Sequence, residues 1–379
     1  MDGVRFSRSP SFVDMLTQID RCLGGVPVFR GGGGTHPFPL YEGEQMTTAV
    51  ANLTSRILLP SDGDLWLRCP GCSGGMGPIS DRDNGLLSAR IECDYCGMVT
   101  NKKDGVWRML SPLQRARFAA FVRDEESPHS KGRGSIHPAF YLALPFADLT
   151  GNYGDQWRIR AQSYRFLEEN VLPRLEARYG NRFRALDIGA GNGWLSYRLA
   201  LAGHRPVAVD LCSNAWDGLD AASHYAAVLP EFFPRAEAEM NHLPFKDAQF
   251  DVAIYNASFH YSSDYERTVR EALRCLRPGG TILIVDSPTY RHARRGRGAT
   301  RSEHHQVFEA TLGSRGGSPP TVDFLTPAVL DNFLELGVRW ERHLAWYGVR
   351  WWLRSWVTRL RHRGEPSQFY LYEGHTDKA

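Results

Sequence analysis

Residues 182–286 alternate short apolar strands with helical segments, and this pattern limits the possible fold more than any other feature of the chain. A strand is predicted from Phe183 to Ile188, a helix follows from Trp194, and a second strand runs from Pro206 to Val209. Such alternation is typical of parallel sheets whose faces are covered by helices. The sequence therefore predicts an α/β fold built on a doubly wound, Rossmann-like sheet.

A glycine-rich turn, DIGAGNG at 187–193, joins the first strand to its helix. Gly189 and Gly191 allow the backbone to approach a ligand closely, and Gly193 allows the helix to start beside the strand. Asp210 ends the second strand, where a carboxylate can bind the hydroxyl groups of a ribose. The turn therefore indicates a nucleotide-containing ligand, such as NAD, a flavin or S-adenosylmethionine.

Asp187, the acidic residue ahead of the glycines, distinguishes between these ligands. A dinucleotide places its pyrophosphate at the N-terminus of the helix, where a carboxylate would repel it. The amino group and the sulfonium of S-adenosylmethionine are cationic, and the same carboxylate would attract them. The sequence therefore favours S-adenosylmethionine as the cofactor.

Four further segments follow the glycine turn in a fixed order. They are Asp210, EMNHLPF at 239–245, FDVAIYNA at 250–257 and EALRCLRPGG at 271–280. With LDIGAGNG at 186–193, they make the chain from about residue 150 to 286 resemble a class I S-adenosylmethionine-dependent methyltransferase of the type 11 group, which includes quinone-biosynthesis enzymes. The resemblance implies a seven-stranded methyltransferase sheet.

The resemblance also assigns cofactor contacts. The glycine turn would lie alongside the methionine part of the cofactor, Asp210 would hold its ribose, and Glu239 with Met240 would flank its adenine. Asn256 and Ala257 would line the sulfur side. The predicted cofactor-binding residues are Asp187, Gly189, Ala190, Gly191, Asn192, Gly193, Asp210, Leu211, Glu239, Met240, Asn256 and Ala257.

Two Cys-x2-Cys pairs, Cys69 with Cys72 and Cys93 with Cys96, are separated by twenty residues. Each pair forms a tight turn with two thiolates on one side, and two turns supply four sulfurs for a tetrahedral Zn²⁺. A segment this short buries little core, so metal ligation would supply its folding energy. With its tail GVWRML at 105–110, the segment resembles the zinc ribbon of tRNA-methyltransferase activators, which implies a structural metal.

These features divide the chain into four parts. We predict an irregular N-terminal arm at 1–61, a four-Cys zinc ribbon at 62–110 and a helical linker at 111–150. The methyltransferase domain would occupy 151–379 and include a polar, substrate-side insertion at 287–325.

Methyl transfer to an acidic nucleophile needs a base, and the end of the fourth strand is where we look for one. His260, four residues beyond Asn256, is the candidate catalytic residue, because imidazole titrates near neutral pH. A structural, hydrogen-bonded histidine is the alternative interpretation. Tyr153 and Trp157 are either a lid over the site or core aromatics.

The acceptor and the partners stay open at this stage. Residues 346–363 are rich in Trp and Arg, and fit a helix docked on the core, an interfacial helix touching a membrane, or an RNA-binding helix. We expect a small or lipid-like metabolite methylated on O, N or C. Methylation of rRNA is the alternative, since bacterial rRNA guanine-N1 methyltransferases also join a zinc ribbon to this fold. A non-catalytic scaffold that binds S-adenosylmethionine is a third possibility.

Composition narrows these choices only slightly. The net charge of +3 is too small to imply a polyanionic partner, and the strong excess of Arg over Lys weakens any argument from a single Arg cluster. The chain shows neither an apolar signal core near residue 1 nor a stretch long enough for a transmembrane segment. The sequence therefore predicts a cytoplasmic protein.

Overall fold

The computed structural model describes residues 65–78, 90–125, 135, 137–291, 324–349, 351–353 and 366–376. The arm predicted at 1–61 lies outside these residues. So do most of the insertion predicted at 287–325 and residues 354–363 of the Trp- and Arg-rich segment.

Eleven strands of the described residues form one sheet in the order β1-β2-β3-β4-β7-β6-β5-β8-β9-β11-β10. Their bounds are β1 Met76–Pro78, β2 Arg90–Cys93, β3 Val99–Lys103, β4 Val106–Arg108, β5 Arg184–Ile188, β6 Arg205–Asp210, β7 Arg235–Glu237, β8 Phe250–Asn256, β9 Leu276–Thr289, β10 Val338–His343 and β11 Gln368–Thr376.

Strands β5 to β9 are parallel and reverse their order at β5. From β5 the chain proceeds to β6 and β7 on one side, then returns to place β8 and β9 on the other. Strand β11 is antiparallel to β9, and β10 is antiparallel to β11. The reversal between β5 and β8 is the switch point at which open α/β sheets bind ligands. This arrangement confirms the predicted α/β, Rossmann-like fold.

Helices cover both faces of the sheet. They are α1 Pro112–Glu125, α2 Pro138–Ala143, α3 Gly154–Phe166, α4 Leu172–Tyr179, α5 Trp194–Leu201, α6 Tyr265–Cys275 and α7 Pro327–Asn332, and a π-helical turn at Leu167–Val171 joins α3 to α4. Side chains of α3, α4 and α5 pack on one face against Ala185, Val252 and Leu283. Side chains of α6 and α7 pack on the other face against Leu186 and Ala253.

The four-Cys segment is joined to the sheet, whereas the sequence suggested a separate small domain. Strand β4 pairs in parallel with β7, and Trp107 lies opposite Ala236. Leu67 forms a bridge with Phe245, and the Lys246 N–H donates to the Trp66 carbonyl at 3.0 Å. Because these pairings link segments far apart in sequence, neither β4 nor β7 shows them in its own pattern.

Two further details differ from the sequence-based interpretation. Strand β9 continues to Thr289, and Tyr290 beyond it is buried, so the ordered sheet extends into the start of the segment predicted as an insertion at 287–325. Strand β10, at Val338–His343, was not predicted from the sequence, because its exposed, charged residues mask the alternation of an edge strand.

Candidate functional site

A cavity of about 590 Å³ lies at the carboxyl ends of β5, β6 and β8, at the switch point of the sheet. Its floor is the glycine turn after β5. Its walls come from α3, from the residues that follow β6, β7 and β8, and from the start of β11. This volume lies in the range of sites that bind a cofactor or drug-sized ligand.

Gly189 shows why the turn needs glycine. Its φ is +74°, a left-handed backbone conformation that side chains disfavour, and a Cβ added there would lie 2.3 Å from Ser258 Cβ. The Ser258 hydroxyl in turn donates to the Ile188 carbonyl. The end of β8 is thus packed directly against the turn, and both line the cavity.

Asp210 is held in the cavity wall by two backbone donors. Its Oδ2 accepts the Gly191 N–H and its Oδ1 accepts the Cys212 N–H, both at 2.8 Å. These bonds fix the carboxylate at the end of β6, beside the glycine turn. A carboxylate in this position is oriented to accept hydrogen bonds from vicinal hydroxyl groups.

Most of the predicted cofactor-binding residues line this one cavity. They are Gly189, Ala190, Gly191, Asn192, Asp210, Leu211, Met240, Asn256 and Ala257. Asp187, Gly193 and Glu239 are not among the lining residues.

Asp187 lies beneath the turn and is fully buried. Its Oδ2 accepts the Ser196 N–H at 3.2 Å and the Ser196 hydroxyl at 2.8 Å, at the start of α5. Its Oδ1 has no hydrogen-bond partner among the described residues. Burial raises the pKa of this carboxyl to about 7, although the two bonds from Ser196 lower it. The sequence identified the acidic residue but did not show that it points toward α5.

Gly193 and Glu239 have packing roles in this structure. A Cβ on Gly193 would lie 3.2 Å from Ala222 Cβ, so the glycine allows α5 to pack closely. The Glu239 carboxylate accepts the Gln114 side-chain amide at 3.3 Å and pairs with Arg117 at 3.6 Å. Both partners belong to α1, and the same helix places Phe121 in the cavity wall.

Sequence reasoning did not find several lining residues. They are Phe121, Gln156, Arg160, Trp194, Cys212, Asp217, Ser258, Pro288, Tyr290, Ser367 and Phe369. Most follow no motif, because they reach the site from elements distant in sequence. Tyr153 and Trp157 line the cavity too, and Trp157 also packs edge-on against Trp194 with ring centroids 6.1 Å apart. Trp157 therefore belongs to both the cavity wall and the core, and its role as a lid stays a prediction.

His260, the predicted base, is buried beside the cavity and is not among the lining residues. Its Nδ1 lies 3.4 Å from the Ser287 hydroxyl, and its ring packs against Tyr261 with centroids 4.2 Å apart. Its role as a base stays a prediction.

The four cysteines converge at the other end of the sheet. Their sulfur atoms lie within 4.8 Å of one another, with 3.7 Å between Cys69 and Cys96 and 3.4 Å between Cys72 and Cys93. Four sulfurs at about 2.3 Å from a tetrahedral Zn²⁺ would be about 3.8 Å apart. The donor set and spacing therefore fit a tetrahedral thiolate site.

Comparison with known proteins finds a family match for the central part of the chain. Residues 186–284, from β5 through most of β9, match the family model described as a methyltransferase domain. This part of the chain is similar to methyltransferase domains. It contains the glycine turn, Asp210 and the end of β8, which together form the floor and one wall of the cavity.

Two curated relatives extend the match beyond this domain. The chain is 34% identical over 143 residues to malonyl-[acyl-carrier protein] O-methyltransferase of Erwinia pyrifoliae, covering 38% of this chain and 50% of that protein. It is 27% identical over 204 residues to 27-O-demethylrifamycin SV methyltransferase of Amycolatopsis mediterranei, covering 50% and 74%. The chain thus spans about half the length of the first relative.

Among solved structures, the chain is similar to the YcgJ protein of Bacillus subtilis, with a TM-score of 0.40 and 16% identity over 55% of this chain and 98% of that one.

In the described part of the chain, no helix combines the length and apolar character that crossing a bilayer requires.

Proposed function

We propose that this chain transfers a methyl group from S-adenosylmethionine to a small-molecule acceptor. The observation that carries the proposal is the cavity at the switch point, bounded by the glycine turn and by Asp210, within a methyltransferase domain. A carboxylate at the end of β6 suits the hydroxyl groups of a ribose. The glycines of the turn carry no side chains, so a ligand can approach their backbone closely.

The residues present fit the cofactor. Asp210 would hold the ribose hydroxyls, and Ala238 with Met240 would contact the adenine from the end of β7. Asp187 lies beneath the turn and outside the cavity lining, with Oδ1 unpartnered within the described residues, and the negative charge of its ionised form would attract a cationic amino group held above the turn. Asn256 and Ala257 would lie on the side of the reacting sulfur.

The bound cofactor supplies an electrophilic methyl carbon, and the chain supplies alignment and exclusion of water. The aromatic side chains of Tyr153, Trp157 and Phe369 make much of the wall apolar. Because the reaction removes the positive charge of the sulfonium, an apolar surround favours the transfer.

The chemical class of the methyl acceptor is a further part of the proposal. The names of both curated relatives specify methyltransferases, and the first names oxygen as the atom methylated. We infer a small metabolite as the acceptor, because the volume of the cavity, about 590 Å³, suits a cofactor together with a small molecule. Mass spectrometry of the labelled product distinguishes O-, N- and C-methylation.

We also propose that Cys69, Cys72, Cys93 and Cys96 bind one structural Zn²⁺. Their sulfur geometry supports this, and four protein ligands leave no open coordination position for catalysis. The metal would hold the segment from β1 to β4 in the form that pairs with β7.

Calorimetric titration tests the cofactor assignment. We expect S-adenosylmethionine and S-adenosylhomocysteine to bind in a one-to-one ratio and NAD to give no heat. Tight NAD binding without a response to S-adenosylmethionine would falsify the proposal.

Incubation with methyl-labelled S-adenosylmethionine and a metabolite extract, followed by mass spectrometry, then separates an enzyme from a non-catalytic scaffold and identifies the methylated atom.

A further inference from the structure

Strand β9 contains a β-bulge beside the cavity. Its pairing with β11 shifts from Tyr370 opposite Ser287 to Tyr372 opposite Ile284, so two residues of β9, Val285 and Asp286, oppose one residue of β11. Asp286 has a φ of +54°, a left-handed conformation that few non-glycine residues adopt. Bulges of this kind occur next to active sites, where they redirect a side chain.

The bulge changes the face to which Asp286 belongs. Along β9, Leu283 and Val285 pack on the face covered by α3, while Ile284 packs on the opposite face. Regular alternation would place Asp286 with Ile284. Instead, its Oδ1 accepts a hydrogen bond from the Ser163 hydroxyl of α3. The backbone of β9 is therefore strained in a way that turns a carboxyl group toward α3.

Asp286 is buried, and only one of its two carboxyl oxygens has a hydrogen-bond partner among the described residues. It is 6% exposed, and the Ser163 hydroxyl that donates to Oδ1 lies 2.9 Å from the Tyr347 hydroxyl. Since the Ser163 proton is used on Asp286, Tyr347 is the donor in that second bond. Oδ2 has no partner within the described residues. A buried, unpaired carboxyl oxygen is costly, which suggests that a ligand completes it.

Residues on three sides of Asp286 line the cavity. Arg160 lies one helical turn before Ser163 on α3 and is in the wall. Ala257 is in the wall, and its N–H donates to the carbonyl of Val285 at 2.8 Å. Pro288 lies two residues further along β9 and is also in the wall. Asp286 itself is not among the lining residues, so its buried carboxyl group lies directly behind this part of the cavity wall.

We propose that Oδ2 of Asp286 accepts the proton of the methyl acceptor, and that the acceptor is therefore a hydroxyl or N–H compound. This inference rests on the proposed function. The acceptor's oxygen or nitrogen forms a bond to the methyl carbon as the bond from that carbon to sulfur breaks. The electron pair of the broken bond stays on sulfur, giving a neutral thioether, and the acceptor's proton moves to Oδ2.

The groups around Asp286 are consistent with this role. Burial raises the pKa of Asp286 to about 6, while the bond from Ser163 and the charge of Arg160 lower it. Tyr347, in the segment after β10, contacts the Ser163 hydroxyl that is bound to Asp286. His260, in the turn after β8, contacts the hydroxyl of Ser287, the residue that follows Asp286. At pH 7.5 the carboxyl group is thus mostly ionised, yet more basic than an ordinary aspartate, which suits a general base.

Chemical labelling tests the orientation without knowledge of the acceptor. In the variant Asp286→Cys, the small reagent methyl methanethiosulfonate should modify position 286, as mapped by peptide mass spectrometry. Cys212 lines the cavity and is an internal positive control, and Cys275 is fully buried in α6 and is the negative control. Modification of Cys212 without modification of position 286 would overturn the proposal, provided that circular dichroism shows a folded variant.

The variant Asp286→Asn tests the proton transfer. Turnover of a catechol or a primary amine with labelled S-adenosylmethionine should fall roughly 10²- to 10⁴-fold. The Kd for S-adenosylmethionine should change less than about twofold, and this retained binding separates failure of the inference from failure of the proposed function. The wild-type limb of the pH–rate profile near pH 6 should disappear.

Ser163→Ala tests positioning by the hydrogen bond. Loss of that bond should move the same limb to higher pH, because the bond stabilises the charged carboxylate. Full turnover by Asp286→Asn, or methylation restricted to carboxylic acids, which are already ionised, would refute the role of Asp286.

Discussion

Asp187 and Asp210 face different environments although both belong to the predicted cofactor site. Asp210 lies in the cavity wall and accepts two backbone N–H groups, whereas Asp187 is buried beneath the turn with one oxygen unpaired. Burial and, to a lesser extent, the charge of Asp210 raise the pKa of Asp187 to about 7. Binding of a cationic cofactor would favour the ionised form, so cofactor affinity and the titration of Asp187 are coupled.

This coupling predicts a pH dependence of binding. If the cofactor prefers the carboxylate, its Kd should be roughly tenfold weaker at pH 6 than at pH 8, because the ionised fraction changes by about that factor around a pKa near 7. Calorimetry across this range measures it. Asp187→Asn should bind weakly with no such slope, and an unchanged slope in that variant would assign the titration to another group.

The same raised pKa has a defined effect on folding. Because the folded pKa lies above the ordinary value of 3.8, the contribution of Asp187 to stability is complete below about pH 4 and is lost as the pH rises through about 7. We expect urea unfolding to show a smaller decline in the free energy of unfolding between pH 5 and pH 8 for Asp187→Asn than for wild type. An equal decline in both proteins would contradict the assignment.

Asp210 should determine ribose binding. Asp210→Asn removes the charge but retains a similar shape, and loss of charge-assisted hydrogen bonds costs about 1.5–3 kcal/mol, or roughly 10- to 100-fold in Kd. Calorimetry with S-adenosylhomocysteine measures the change. The matched control is Asp247→Asn, an exposed carboxylate paired with Arg274 that should leave the Kd unchanged.

At the scale of elements, local sequence predicts strands and helices well but predicts their long-range pairing poorly. The apolar run around Leu186 and the glycine turn were enough to place β5, α5 and the turn that lines the cavity. The pairing of β4 with β7 and the bulge at Asp286 depend on partners more than seventy residues away in sequence. The approach of Phe121 to the cavity likewise depends on where α1 packs. No local pattern carries this information.

The β4–β7 contact gives a prediction at this scale. Trp107 is buried at the junction, in the cluster that includes Ala236 and Phe245. Trp107→Ala should lower the free energy of unfolding by about 3–5 kcal/mol, because it leaves a large cavity. Thermal or urea unfolding measures the loss. Trp346→Ala is the control, since Trp346 is 65% exposed. A loss no larger than in that control would show that the four-Cys segment does not stabilise the sheet.

At the scale of the whole molecule, the four-Cys segment and the region similar to methyltransferase domains share one sheet. Chelation of the proposed Zn²⁺ should therefore destabilise the sheet edge at β7 as well as the cysteine segment itself. We expect about one zinc per chain by metal analysis, and a lower melting temperature after chelation.

Cysteine variants provide the matched test. Cys69→Ser and Cys93→Ser should lose the metal and the stability that it confers, whereas Cys275→Ser, buried in α6, should retain the metal. Retention of a full complement of zinc by both ligand variants would show that the sulfur cluster is not the metal site.

A crystal structure grown with S-adenosylhomocysteine would show whether the cavity holds the cofactor. We expect density in the cavity at the end of β5, with the ribose on Asp210 and the adenine beside Met240. Density for a pyrophosphate beside the turn at 187–193, or a cavity that stays closed by its own side chains at saturating ligand, would contradict it.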